Sequence, residues 1–134
     1  MTTYYRADIL ENNLKELINQ VPGLQGAVIV SSEGFVVAAY PNELSGGHQE
    51  TSTPQVAAMA ATLVALGETT LARLSRGEIE RLLIEGKEGA IVVYPINANA
   101  SLAALLAKDA KVGLTLLVVA RAAENIGHIL NGRS

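Results

Sequence analysis

The chain has 134 residues, of which 49% are hydrophobic and 17% charged, and its formal net charge is −3. This composition excludes a disordered chain and suits a single domain over residues 1–134. The absence of cysteine excludes disulfides, thiolate catalysis and cysteine zinc sites, and the lack of a basic block argues against nucleic-acid binding.

The N-terminal residues contain no apolar signal-peptide core. The longest uncharged apolar stretch, Val56 to Gly67, is well short of the ~20 residues that span a bilayer. We therefore expect a cytoplasmic protein without a membrane span.

The first third of the chain predicts a helix, a hairpin and a loop. From Asp8 to Val21, leucine and valine recur at spacings of four, three and four, which is one stripe of an amphipathic helix, and a Pro-Gly pair ends it. The segments Gly26–Val30 and Phe35–Ala39 flank a Ser-Ser-Glu-Gly turn and predict a β-hairpin. Pro41 to Glu50 is interpreted as a polar, mobile loop.

A long Ala-rich helix is predicted next, from a cap at Ser52 or Thr53 to about Arg76, with Gly77 closing it. A helix on one face of a sheet needs only one apolar stripe, but this one is apolar all round for more than three turns. At roughly 33 Å it is long for a domain with a radius of gyration of about 14 Å. The pattern predicts a protein–protein interface, with self-association as the simplest form. The alternative is that Ala is a good helix former on a tolerated surface.

The second half predicts a three-stranded meander and a final helix. Strands are expected at Glu78–Glu85, Ala90–Ile96 and Ala100–Ala107, although the last could be a helix by composition. From Val112 onward, apolar residues keep helical spacing over five turns. The order predicts an α/β (α+β) fold with a five-stranded, mainly antiparallel sheet and helices on its faces.

The sequence offers little catalytic chemistry. His48 and His128 are isolated and are interpreted as solvated side chains, and no hydrolase, metalloprotease or phosphate-loop motif occurs. Glu78, Glu80 and Glu85, which fall on a predicted strand beside Arg81, are interpreted as solvated charges of an edge strand. We expect no catalytic residue, no cofactor and no metal, and thus not an enzyme.

Four stretches form a series in their order and spacing. They are LKELINQVPGLQGA from Leu14 to Ala27, SSEGFVVA from Ser31 to Ala38, EGKEGAIVV from Glu85 to Val93, and the passage from Ala103 to Leu116. With the Ala-rich helix between the second and third, this series resembles the roadblock/LC7 family, and within it the bacterial members associated with small Ras-like GTPases. The sequence departs from the commonest form at Glu33, where Asp is frequent, and in its long polar loop.

This resemblance implies a roadblock/longin-like order, α-β-β-α-β-β-β-α, in a homodimer or in a heterodimer with a paralogue. It also implies that the central helices lie side by side on a sheet that continues across the dimer at the third strand. A GTPase would dock on the face carrying these helices. Interface residues are therefore expected on the central helix and the third strand: Ala57, Met59, Ala61, Leu63, Val64, Leu66, Thr70, Leu74, Ile79, Arg81 and Leu83.

The function that follows is a non-catalytic dimeric module that regulates or scaffolds a Ras-like small GTPase. The alternative is a structural adaptor of a larger signalling or motility complex without a GTPase, and a third hypothesis is a ligand-sensing domain with an internal cavity. Arg73 and Arg76 are the candidates for a catalytic arginine supplied to a GTPase. Because cations are favourable at a helix C-terminus, we expect neither to serve as one.

Overall fold

The computed structural model describes residues 3–42 and 52–132, so most of the predicted polar loop and His48 lie outside the described residues. The order of elements is the predicted one, and the ambiguous segment before the last helix is a strand. The ranges are α1 (Thr3–Gln20), β1 (Leu24–Ser31), β2 (Val36–Tyr40), α2 (Thr53–Arg73), β3 (Leu82–Gly86), β4 (Gly89–Asn97), β5 (Ala100–Ala107) and α3 (Val112–Leu130).

The five strands form one sheet in the order β2-β1-β5-β4-β3. Every neighbouring pair is antiparallel, which confirms the predicted sheet. Strand β5 lies at the centre and is buried along most of its length, which explains its nearly continuous apolar sequence. Strands β2 and β3 form the two edges.

Helices cover the two faces of the sheet unequally. Helices α1 and α3 share one face, where Leu14, Leu102 and Ile126 belong to the larger core cluster. Helix α2 lies alone on the other face, over a smaller cluster that includes Val28 and Val93. We call these the α1/α3 face and the α2 face. A single helix leaves part of the α2 face exposed, including Leu66 and Ile84.

Helix α2 begins as predicted and ends earlier than predicted. Ser52 is its N-cap, and the Ser52 backbone N–H donates to Gln55 Oε1 at 2.8 Å in a capping box. The helix stops at Arg73 instead of Arg76, because Ser75 adopts a positive φ of 57° and the Arg76 N–H donates to the Leu71 carbonyl at 2.8 Å. Such a left-handed residue terminates a helix wherever it occurs, and here it precedes the predicted stop at Gly77.

Strand β3 is shorter than predicted: it starts at Leu82, whereas the sequence pattern placed its start at Glu78. Pairing with β4 runs from Leu82 opposite Val93 to the turn after Gly86. Continuing that register would set Glu80 opposite Pro95, which has no N–H to donate to a neighbouring strand. The alternating charges before Leu82 therefore lie in an irregular segment. Helix α1 also differs, since it begins five residues before the predicted Asp8.

Candidate interaction surface

The fully buried residues of α2 lie in the first half of the helix. Its buried residues are Thr53, Val56, Ala57 and Ala60. Beyond Ala60 every residue of α2 is half-buried or exposed, although the sequence stays largely apolar. The second half of α2 therefore presents apolar side chains that its own domain does not cover.

A groove of about 370 Å³ lies between this half of α2 and the start of β3. Gly67 brings the two elements together, because a Cβ at this position would lie 2.9 Å from the Ile79 Cδ1 atom. The only polar side chains in the lining are those of Thr70 and Arg81, which suits an apolar protein surface better than a small polar ligand. The lining residues are Leu63, Leu66, Gly67, Thr70, Leu71, Ile79, Arg81 and Leu82.

Strand β3 extends this apolar surface to the edge of the sheet. Ile84 follows Leu82 by two positions on the α2 face, and 45% of its surface is exposed. The other side of β3 pairs with no strand within residues 3–42 and 52–132. An unpaired strand edge next to exposed apolar side chains is a template for pairing with another chain.

The structure brings together five of the predicted interface residues in the groove: Leu63, Leu66, Thr70, Ile79 and Arg81. Met59 and Leu74 are exposed apolar residues at other positions on and just beyond α2. Val64 and Ala61 are half-buried against the α2 cluster.

The last two predicted interface residues, Ala57 and Leu83, pack inside the domain. Ala57 is completely buried between α2 and the sheet, because the helix packs most closely near its N-terminus. Leu83 packs against the core of the α1/α3 face, because side chains alternate along the strand. The sequence analysis did not single out Ile84, which the structure exposes beside the groove. The continuous apolar run Leu82-Leu83-Ile84 was the available signal, since a strand with one solvated face alternates.

Arg81 is the charged residue in the lining of the groove, and it also contacts Tyr94, which belongs to the core of the α1/α3 face. Its guanidinium interacts with the Tyr94 hydroxyl. Burial raises the pKa of Tyr94, and the Arg81 guanidinium opposes that shift. The protonated hydroxyl donates to the Leu116 carbonyl of α3 at 2.9 Å. Arg81 also approaches Glu80 at 3.8 Å, a solvent-exposed ion pair that contributes little.

Two other properties bear on function. No group of three or more histidine and acidic side chains within the described ranges could hold a metal ion. Helices α2 and α3 are long and apolar enough, by length and mean hydropathy alone, to cross a membrane. Both pack against the sheet, and core helices of globular domains pass the same test.

Comparison with known protein families gives one match that spans most of the chain. The model of the Roadblock/LC7 domain matches residues 10–106, from α1 to the end of β5. The chain belongs to the Roadblock/LC7 family. Members of this family are generally regulatory and non-catalytic.

Relatives in sequence and in structure agree with this membership. Two uncharacterized proteins of the archaeon Methanocaldococcus jannaschii, MJ1340 and MJ0310, are 32% and 31% identical to this domain over 111 residues. Each match covers 81% of this chain and 90% of the relative.

Solved structures of the family share the fold at lower sequence identity. A Roadblock/LC7 domain from Streptomyces avermitilis superposes with a TM-score of 0.77 at 21% identity, covering 90% of this chain and 96% of the other. The gliding protein MglB from Thermus thermophilus gives 0.76 at 20%, covering 96% and 91%. MglB in a tetrameric arrangement gives 0.79 at 19%, covering 92% and 89%.

Proposed function

We propose that this Roadblock/LC7 domain acts as a non-catalytic homodimer that regulates or scaffolds a Ras-like small GTPase. The observation that carries the dimer is the uncovered apolar surface formed by the second half of α2 and the open edge of β3. Leu66 lies in this surface with 62% of its area exposed. A second copy would cover the surface and pair the strand edge in one step, which is how a symmetric interface satisfies both partners.

Light scattering on the purified protein tests the dimer. We expect twice the 14.0 kDa mass of one chain. Leu66→Glu should weaken the dimer by at least about a hundredfold, because a carboxylate would be buried without a partner.

Leu117→Glu is the matched control. Leu117 is 57% exposed on α3, at the opposite face of the sheet, and the same substitution there should leave the mass unchanged. A monomeric wild type would contradict the dimer. Equal effects of the two substitutions would contradict the assignment of the interface to the α2 face.

The GTPase as partner is supported by the resemblance to the GTPase-associated members and by the MglB-like fold. The α2 face would remain available for it on the outward side of the paired helices. Arg73 and Arg76 are both exposed at the end of α2, and neither has an ion-pair partner within the described residues. Cations at this position interact favourably with the C-terminal end of the helix dipole, which supports a structural role for both.

Hydrolysis of GTP by a purified Ras-like GTPase from the same host, with and without this domain, tests that role. The Arg73→Ala and Arg76→Ala double variant should bind the GTPase and affect hydrolysis as the wild type does. Loss of an arginine finger would lower stimulated hydrolysis by about a thousandfold or more with binding intact, and would contradict the proposal. A wild-type dimer that binds none of the host's Ras-like GTPases would favour the adaptor function instead.

A further inference from the structure

The open edge of β3 carries opposite charges at two positions of one face. Arg81 immediately precedes β3, and Glu85 is the penultimate residue of the strand. Leu83 lies midway between them. Side chains alternate along the strand, so Leu83 and Glu85 belong to the α1/α3 face. Arg81 lies just before the strand, and its guanidinium interacts with Tyr94, which belongs to the core cluster of that face. Glu85 has no salt bridge in the described part of the chain, and the one salt bridge of Arg81 there is its weak contact with Glu80.

Leu83 and Glu85 direct their backbone groups outward. The two-residue turn of the β3–β4 hairpin closes on Gly86 opposite Gly89, a position where antiparallel strands exchange both hydrogen bonds. Backbone direction alternates along a strand, so Leu83 and Glu85 offer their N–H and C=O groups to the open edge, and Arg81 would do the same where pairing extends the strand by one residue.

Symmetry limits how a second copy can pair with this edge. A two-fold axis perpendicular to the sheet keeps the α2 face continuous, so residues that lie opposite one another must come from the same face. An axis at Leu82 would set Arg81 opposite the apolar Leu83. An axis at Ile84 would set Arg81 opposite Lys87, which brings like charges together and is destabilising.

An axis at Leu83 gives a complementary partner to each residue from Arg81 to Glu85. It sets Arg81 opposite Glu85 twice, once on each side of the axis, and it sets Leu82 opposite Ile84 on the α2 face. Opposite charges directly across an antiparallel pair are attractive, and apolar side chains meet apolar ones.

We propose that two copies pair their β3 strands antiparallel about Leu83, with Arg81 of each copy contacting the partner's Glu85. This inference rests on the proposed dimer and adds its register and its two ion pairs. The charges favour this register over its two neighbours, which shift the pairing by two residues and leave the apolar faces aligned but lose both ion pairs.

A charge exchange tests the ion pairs by equilibrium sedimentation. Arg81→Glu and Glu85→Arg should each weaken the dimer by about tenfold or more, because each creates two like-charge pairs. The double variant should return to within about threefold of the wild-type dissociation constant. Glu80→Arg is the control, because it makes the same change of charge as Glu85→Arg at the residue next to Arg81. In this register residue 80 lies opposite Gly86, so the substitution should leave dimerisation unchanged.

Single cysteines test the register independently, since the chain has none of its own. Opposed Cα atoms of a hydrogen-bonded pair are about 5.5 Å apart, within the span of a disulfide. Under copper phenanthroline, Leu83→Cys should form a covalent dimer faster than Leu82→Cys or Ile84→Cys.

The outcomes separate this inference from the proposed dimer. Fastest cross-linking at Leu82→Cys or Ile84→Cys, or a double charge variant no tighter than the single variants, would overturn the register while the dimer stands. A monomeric wild type would overturn both. If Arg81→Glu fails to fold, the cysteine series alone decides the register.

Discussion

Gly23 lies at the turn between α1 and β1 with a φ of +90°, a conformation that residues with a Cβ rarely adopt. A Cβ there would lie 2.8 Å from the Cβ of Ala110 and 2.9 Å from its Cα. The Gly23 carbonyl also accepts the Ala107 N–H at 2.7 Å. The Val-Pro-Gly sequence after α1 thus has a physical basis: the third residue must be small and left-handed.

We expect Gly23→Ala to destabilise the fold by about 2–4 kcal/mol, from backbone strain and a contact that rigid backbone cannot relieve. Urea unfolding at fixed protein concentration measures the change. Gly113→Ala is the control, since a Cβ there meets nothing within 4 Å and the residue lies in α3. It should be neutral or stabilise by up to about 1 kcal/mol. Equal effects at both glycines would refute this explanation.

At the scale of elements, α2 combines a well-defined start with a partly unsupported body. Its capping box at Ser52 and Gln55 satisfies backbone donors that would otherwise be unpaired. The Thr53 hydroxyl donates to the Asn42 carbonyl at 2.9 Å, which ties the helix start to the end of β2. The helix is therefore anchored at the end that packs on the sheet, while its second half depends on the cover proposed above.

Ser52→Ala should lower the free energy of unfolding by about 1 kcal/mol, because it removes the acceptor of the Gln55 N–H at the N-cap. Chemical denaturation followed by circular dichroism gives the value. Thr62→Ala provides the comparison: Thr62 is exposed in mid-helix and its hydroxyl donates to the Ala58 carbonyl at 2.9 Å. Alanine favours the helix there, so stability should stay the same or rise slightly. Greater destabilisation at Thr62 would contradict the capping argument.

At the scale of the whole molecule, the two faces of the sheet differ in how completely they are covered. Two helices pack on one face around a large apolar cluster, whereas α2 alone lies over a smaller cluster on the other. The uncovered strip runs beside α2 to the β3 edge, where Ile84 is exposed. The described residues contain no further helix or strand to place there, which is the physical reason for proposing a dimer.

The amino-acid sequence by itself determined the element order, because turn residues and apolar periodicity are local signals. Its apolar circumference also predicted that one sheet would leave part of α2 uncovered. The tertiary structure alone decided which residues of the helix stay exposed. It put Ala57 inside and Leu66 outside, because the packing of a helix on a twisted sheet varies along its length. It also decided where β3 begins, because Pro95 on the neighbouring strand has no N–H for Glu80.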